Sequence, residues 1–243
     1  SGTMTIMFIG MGFASISCGF SNSISYLFFS LSLLGLFCSI YHPVGIPWII
    51  HSSNRQGRAL GINGIFGGVG IGSGAFVAGT LTELLNWQLA FILPGIFSIV
   101  IGFILIYLIY MDKISYKNYF INTDRRDHSP NEMVLIAFIM LLSMFAIGLS
   151  FHNTQTALPK VFELRIGNIN TIQIGLMIGI IYFISGVTTF AGGLMADRFN
   201  LKAIYLIGIF MQFPCYLAIA YVSGYSLLIL CIMAAIFLSL IHI

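Results

Sequence analysis

Charge is what this sequence has least of: 7% of its 243 residues are Asp, Glu, Lys or Arg, where a soluble domain carries about 25% to keep its surface in water. Together with 58% apolar residues and a mean hydropathy of +1.01, that scarcity excludes an ordinary soluble globular protein. Ten Lys and Arg against seven Asp and Glu leave a formal charge of +3, and the basic residues form no stripe, so no nucleic-acid partner is expected. Cysteine is sparse too. Cys18, Cys38, Cys215 and Cys231 all fall inside apolar stretches with no C-x-x-C pair, the pattern of small packing residues and not of a disulfide framework or metal site. Neither H-E-x-x-H nor G-x-x-x-x-G-K-[ST] occurs, which argues against zinc proteolysis and an ATP-driven pump. Around Ser73 the chain reads Ile71-Gly72-Ser73-Gly74, so the G-x-S-G pattern of intramembrane serine proteases fails at Ile71. No catalytic residue, metal or cofactor is expected.

What the chain has instead is long apolar runs, at about 4–20, 24–50, 58–81, 88–110, 133–151, 172–194, 203–222 and 225–243. A helix rises about 1.5 Å per residue and needs about 20 apolar residues to cross a hydrocarbon core of about 30 Å. Membrane β-strands would read as alternating segments of about 10 residues, and these runs are continuous. The pattern predicts an all-α polytopic bundle of about eight transmembrane helices. The first run lacks a basic flank and a small-residue cleavage site, so it does not read as a signal peptide. The chain opens on Ser1 and ends on Ile243 inside an apolar run, which reads as a fragment of a longer protein.

Basic residues set the orientation. Arg55, Arg58, Lys113, Lys117, Arg125, Arg126, Arg198 and Lys202 fall in one alternate set of connections, and only Lys160 and Arg165 in the other. The first set is therefore assigned to the cytoplasm. Within it, residues 111–132 (MDKISYKNYFINTDRRDHSPNE) are rich in both charge signs and turn formers, as expected of a linker between two bundles. The alternative is an ordinary long loop inside one bundle.

The third run carries Gly61, Gly64, Gly67, Gly68, Gly70, Gly72, Gly74 and Gly79. Each interior glycine costs about 1 kcal/mol relative to Ala, so this density needs a packing reason. Gly64, Gly68 and Gly72 share one face at four-residue spacing, and Gly70 with Gly74 makes a second pair, so close helix approach is predicted. Such a face serves a static seam or a sliding one. His42, within Tyr41-His42-Pro43 and followed by Pro47, lies inside the second run, where two missing amide donors predict a kink or unwinding. Carbonyls freed beside an imidazole can coordinate an ion or substrate, although a purely structural histidine fits equally well. His152, Asn153, Thr154 and Gln155 cluster where the fifth run ends, either along a substrate path or at the membrane interface. Tyr182 and Gln173 are further polar groups of the sixth run.

After the sixth run the chain reads Gly193-Leu194-Met195-Ala196-Asp197-Arg198-Phe199-Asn200-Leu201-Lys202. This resembles the signature loop G-x-L-a-D-r-x-G-r-k of the major facilitator superfamily, with Gly193, Asp197, Arg198 and Lys202 matching. Asn200 stands for a glycine, and Asn tolerates left-handed backbone angles. Asp197 is chemically suited to cap a helix start or pair with an Arg, as a latch at the cytoplasmic face. The glycine run is similar to the family's antiporter signature at Gly61, Gly70, Gly74 and Gly79, with Ala75 in place of its proline. Tyr41-His42-Pro43 resembles the F-H-P element of fosmidomycin-resistance-like exporters, and Asn86-Trp87-Gln88-Leu89-Ala90-Phe91 the family's G-W-R-W-A-F helix entry. The family's fourth-helix Arg is absent, the chain reading Leu31-Ser32-Leu33-Leu34-Gly35 there.

The resemblance implies spans three to ten of a twelve-helix fold. Residues 1–111 would be the rest of an N-terminal bundle, 112–132 a cytoplasmic linker and 133–243 part of a C-terminal bundle. It also implies a monomeric secondary transporter in a bacterial-type cytoplasmic membrane, with no cofactor. A small organic or drug-like solute would be moved by alternating access against or with protons, as in antiport efflux. Tyr41, His42, His152, Asn153 and Gln155 are its expected pathway residues, with the lipid bilayer, the solute and protons as partners. Two other classes stay open: an intramembrane enzyme built on Ser73 and His42, and a non-transporting receptor of the same fold.

Overall fold

A computed structural model describes residues 2–51, 53–111, 113 and 129–241. Most of the expected linker 112–132, with Lys117, Arg125 and Arg126, lies outside the described residues, as do Ser1, His242 and Ile243. The described residues form helices α1 (Gly2–Gly19), α2 (Ile24–Cys38), α3 (Tyr41–His51), α4 (Gln56–Leu84), α5 (Leu89–Tyr110), α6 (Pro130–Ile166), α7 (Thr171–Ala196), α8 (Leu201–Tyr221) and α9 (Tyr225–Ile241), with no strand among them. Among the described residues, seven stretches are long and apolar enough to cross a membrane, α2 and α3 together making one of 27 residues, Ile24–Ile50. The eighth predicted run is α9, at 17 residues. Helices are the expected solution where no water is present to satisfy backbone groups.

The break between α2 and α3 falls at Ser39–Ile40. Its cause is Pro43, whose ring would collide with the carbonyl of the residue four positions earlier, Ser39. Placed in the first turn of α3, Pro43 lacks only an amide that would have no intrahelical partner anyway. Tyr41 and His42 therefore stand at a helix start in mid-span. Sequence placed the disruption at the prolines themselves; the helix yields ahead of them instead.

Helix α6 starts earlier and ends later than the fifth apolar run. Ser129 and Glu132 form a capping box, with the Glu132 amide donating to Ser129 Oγ (3.3 Å) and the Ser129 amide donating to Glu132 Oε2 (2.9 Å), so helix begins inside the expected linker. It continues for 37 residues, through Pro159 to Ile166, about 55 Å at 1.5 Å per residue and so well over the thickness of a hydrocarbon core. His152 to Gln155, expected where the fifth run ends, lie within this helix.

Two groups of helices pack among themselves. In the first, α1 lies along α5 and also contacts α2 and α3. Ser15 and Ser98 donate to the carbonyls of Phe91 and Phe8, both at 2.7 Å, across the α1–α5 contact. In the second, Leu158 and Phe162 of α6, Ile174, Ile178, Ile181 and Tyr182 of α7 and Leu227, Cys231 and Ala235 of α9 form a continuous apolar core. The four cysteines are free: Cys18, Cys215 and Cys231 are buried and Cys38 is exposed. The most extensive contact among the described helices is α4 against α7, which joins the two groups.

Candidate functional site

Helices α4 and α7 run antiparallel and touch from end to end. The contact is made by glycines because at most of these positions a side chain would meet backbone. A Cβ at Gly68 would sit 2.5 Å from the Tyr182 carbonyl oxygen and 2.6 Å from Gly186 Cα; one at Gly72 would sit 2.7 Å from the Gly179 carbonyl oxygen. Gly61 faces the backbone of Phe190, Gly64 the side chain of Thr189, and Gly79 the carbonyl of Thr171. Gly67, Gly70 and Gly74 have nothing within 4 Å and look away from α7. From the other side, Gly175, Gly179, Gly186 and Gly193 of α7 meet α4 backbone. Their spacing of four, seven and seven residues is a small-residue stripe legible in the sequence, and it was the missing half of the seam.

Each end of the seam carries a carboxylate from one helix seated on the first turn of the other. At the α4 start, Asp197 Oδ1 accepts from the Gly57 amide (3.0 Å) and Oδ2 from the Arg58 amide (3.1 Å). Arg55, the N-cap of α4, offers no side-chain cap, so Asp197 supplies it from another helix. At the α7 start, Glu83 Oε2 accepts from the Thr171 amide (3.2 Å) and from Thr171 Oγ1. The exchange is reciprocal: the last turn of each helix caps the first turn of its partner. Both caps add a negative charge where the helix dipole is positive. Glu83 and Thr171 carry no motif, and only the antiparallel packing brings them together.

The remaining signature-loop residues have separate places. Gly193 meets the Gly57 carbonyl and Gly61 Cα. Arg198 is exposed and, with Asn54, Arg55, Arg58, Leu194 and Asp197, lines an open cleft of about 560 Å³. Asn200 has φ −65° and acts as the N-cap of α8, accepting from the Lys202 amide at 2.9 Å, so no left-handed turn is needed at that position. The only positive-φ residues described are Gly167, Asn168 and Gly224.

Tyr41 donates its hydroxyl hydrogen to Asn63 Oδ1 on α4, linking the start of α3 to the glycine helix. His42 is exposed and packs edge-on against the Tyr41 ring, with centroids 5.6 Å apart. His152 and Asn153 are exposed and Gln155 is half-buried. His152 stands edge-on to Phe151, which in turn stands edge-on to Tyr182 of α7, and Thr154 is hydrogen bonded to Tyr216 at 3.2 Å. Among the described residues no hydrogen bond or ring contact joins His42 to the His152 cluster. Gln173 completes a capping box with Asn170 at the start of α7. Ser73 donates to the Gly70 carbonyl (3.3 Å) and lines an apolar pocket of about 260 Å³ with Val69, Gly72, Leu176, Gly179, Ile180 and Phe183. No group of three His, Cys, Asp or Glu able to hold a metal occurs among the described residues.

Breaking the Glu83 cap gives a first prediction. Glu83→Gln keeps an acceptor but loses the charge, a change of about 0.3–1 kcal/mol at an exposed helix start. Spin labels on Leu85→Cys and Asn168→Cys, in a cysteine-free background, should report a longer and broader distance distribution, and an unchanged one would sink the assignment.

The family model described as Major Facilitator Superfamily matches residues 1–243. The chain is also similar to a curated protein described as an uncharacterized transporter of Buchnera aphidicola subsp. Schizaphis graminum (strain Sg). The two are 23% identical over 213 residues, which cover 82% of this chain and 48% of that protein. The chain thus spans about half the length of the curated relative it matches.

Proposed function

Because the chain belongs to the major facilitator superfamily, we propose that it forms part of a secondary transporter that moves a small organic solute by alternating access. The observation that carries the reading is the α4–α7 seam, a glycine-lined contact between two helix groups with a carboxylate cap at each end. Backbone-to-backbone packing without interlocking side chains offers little resistance to rocking. End caps made of a few hydrogen bonds can open one at a time, and each is worth about 1 kcal/mol. Opening the Asp197 end while the Glu83 end holds, and the reverse, are the two motions alternating access requires.

In this reading the Asp197 end faces the cytoplasm, following the distribution of Lys and Arg. The coupling ion is the proton, exchanged against an exported drug-like solute, and His42 is the responsive group. It stands at a helix start in mid-span, it is exposed, and no hydrogen bond among the described residues fixes its ring. Tyr41, through Asn63, would carry a change at His42 to the glycine helix.

Proteoliposomes holding the full-length protein, loaded with a panel of organic cations and neutral drugs under an imposed pH gradient, test the proposal. Gradient-dependent flux of at least one compound is expected, reduced about tenfold or more in His42→Ala with no loss of thermal stability, since this side chain is exposed. Flux in His42→Ala equal to wild type would remove the histidine from the mechanism. No flux of any compound under any ion gradient would remove transport.

A further inference from the structure

Among the described residues, the cleft at the Asp197 end has more positive charge than the carboxylates lining it neutralise. Arg55 and Arg58 come from the start of α4 and Arg198 from the loop after α7, so the three arginines flank the seam from both helices. All three are exposed, and none forms an ion pair with another described residue. The one carboxylate lining the cleft is Asp197, and both its oxygens already accept backbone amides. The start of α4 adds its own positive partial charge at the same place, about half an elementary charge. Arg55 at the N-cap and Arg58 in the first turn stand where the helix dipole disfavours positive charge, and Asp197 supplies a single negative charge against the three arginines.

The shape of the surroundings narrows the choice of anion. Leu194 lines the cleft, and Met195, Phe199 and Leu201, near it in sequence at the end of α7, in the turn and at the start of α8, are exposed. A cleft of about 560 Å³ is roomy for a bare phosphate, and one of its lining residues, Leu194, is apolar. Guanidinium groups match phosphate oxygens with paired N–H donors, and basic pockets between membrane helices select phosphate headgroups. We propose that this cleft binds the phosphate of an anionic phospholipid headgroup. The lipid's acyl chains lie against Leu194, Met195 and Phe199, and its phosphate bridges Arg55 and Arg58 on one helix to Arg198 beyond the other. A lipid held this way adds a second tie across the end that Asp197 already closes.

The proposal rests on the reading of this end as a membrane boundary, but its test needs no transported solute or gradient, so a failure of transport and a failure of lipid binding are separately visible. Full-length protein, delipidated in detergent, is titrated with phosphatidylglycerol, phosphatidylcholine or inorganic phosphate, and bound lipid is counted by native mass spectrometry. One tightly held phosphatidylglycerol per protein is expected, with phosphatidylcholine at least tenfold weaker. At about 1 kcal/mol per arginine, Arg198→Gln should weaken binding about fivefold, and the triple change with Arg55→Gln and Arg58→Gln about a hundredfold. Lys160→Gln, whose side chain pairs with Glu163 away from the cleft, should bind as wild type does. Should the triple variant fail to fold, Arg198→Gln alone decides. Equal retention of both lipids, undiminished binding in Arg198→Gln, or inorganic phosphate binding as tightly as the lipid would each overturn the proposal.

Discussion

Asp197→Ala should spring open one end of the α4–α7 seam and depress transport more than any other single change in the signature loop. The substitution strands the Gly57 and Arg58 amides, which have no other cap because Arg55 supplies none. Loss of a helix N-cap costs about 0.5–2 kcal/mol, which moves a two-state equilibrium by roughly 2- to 30-fold. Spin labels on Asn54→Cys and Phe199→Cys should move from one short distance to a mixture with a longer one. Net solute flux should fall about tenfold, because a protein that rests open at one end completes fewer cycles. Asp197→Asn, which keeps an acceptor without the charge, should fall between. Gly57→Ala is the independent check: its Cβ would sit 2.5 Å from Asp197 Oδ1 and 2.5 Å from the Gly193 carbonyl oxygen. It should open the same end while leaving the carboxylate in place. If both variants keep the wild-type distance and flux, Asp197 is no latch.

The second large effect is a change of sign between two glycines two residues apart. Gly68→Ala places a methyl group 2.5 Å from the Tyr182 carbonyl oxygen and 2.6 Å from Gly186 Cα, where only backbone could give way. Overpacking of this kind costs about 1–3 kcal/mol, and the thermal midpoint of the purified protein should fall by several degrees. Gly70→Ala meets nothing within 4 Å, so helix propensity alone acts and stability should rise by up to about 1 kcal/mol. Propensity considered by itself predicts a gain at both positions. A gain at Gly68, or equal losses at both, would show that α4 and α7 do not approach as closely as described.

How much of this was legible beforehand depends on the length scale of each feature. The spans were, because about 20 consecutive apolar residues leave the backbone no other solution in a bilayer. A disturbance near His42 was legible from Pro43 and Pro47, yet its position at Ser39–Ile40 was not, because a proline obstructs the turn before it. The glycines were legible as a packing feature, but not which of them pack. Gly68 and Gly70 look alike in sequence, and only α7, lying on one side of α4, separates them. The far end of α6 was hidden because the apolar run stops at the polar stretch His152-Asn153-Thr154-Gln155, whereas Leu158 and Phe162 beyond it are held in the core with α7 and α9.

The candidate site divides in the same way. Asp197 was visible through its loop, and its chemistry left open either a helix cap or an arginine partner. The fold settled that choice by bringing the start of α4, more than a hundred residues earlier in the chain, within 3.0 Å. Glu83 and Thr171 were invisible, since a lone acidic residue and a threonine in separate spans have no relation until two antiparallel helices place them at the same end.

Sequence alone therefore determined the solvent, the helical character of the spans and the family resemblance, because the 7% of charged residues and the apolar runs between them are read one segment at a time. Tertiary structure decided which glycine faces meet, which carboxylate caps which helix, and that three arginines from two helices share one cleft. Those are contacts between segments far apart in the chain, and their geometry is set by how closely two backbones can approach.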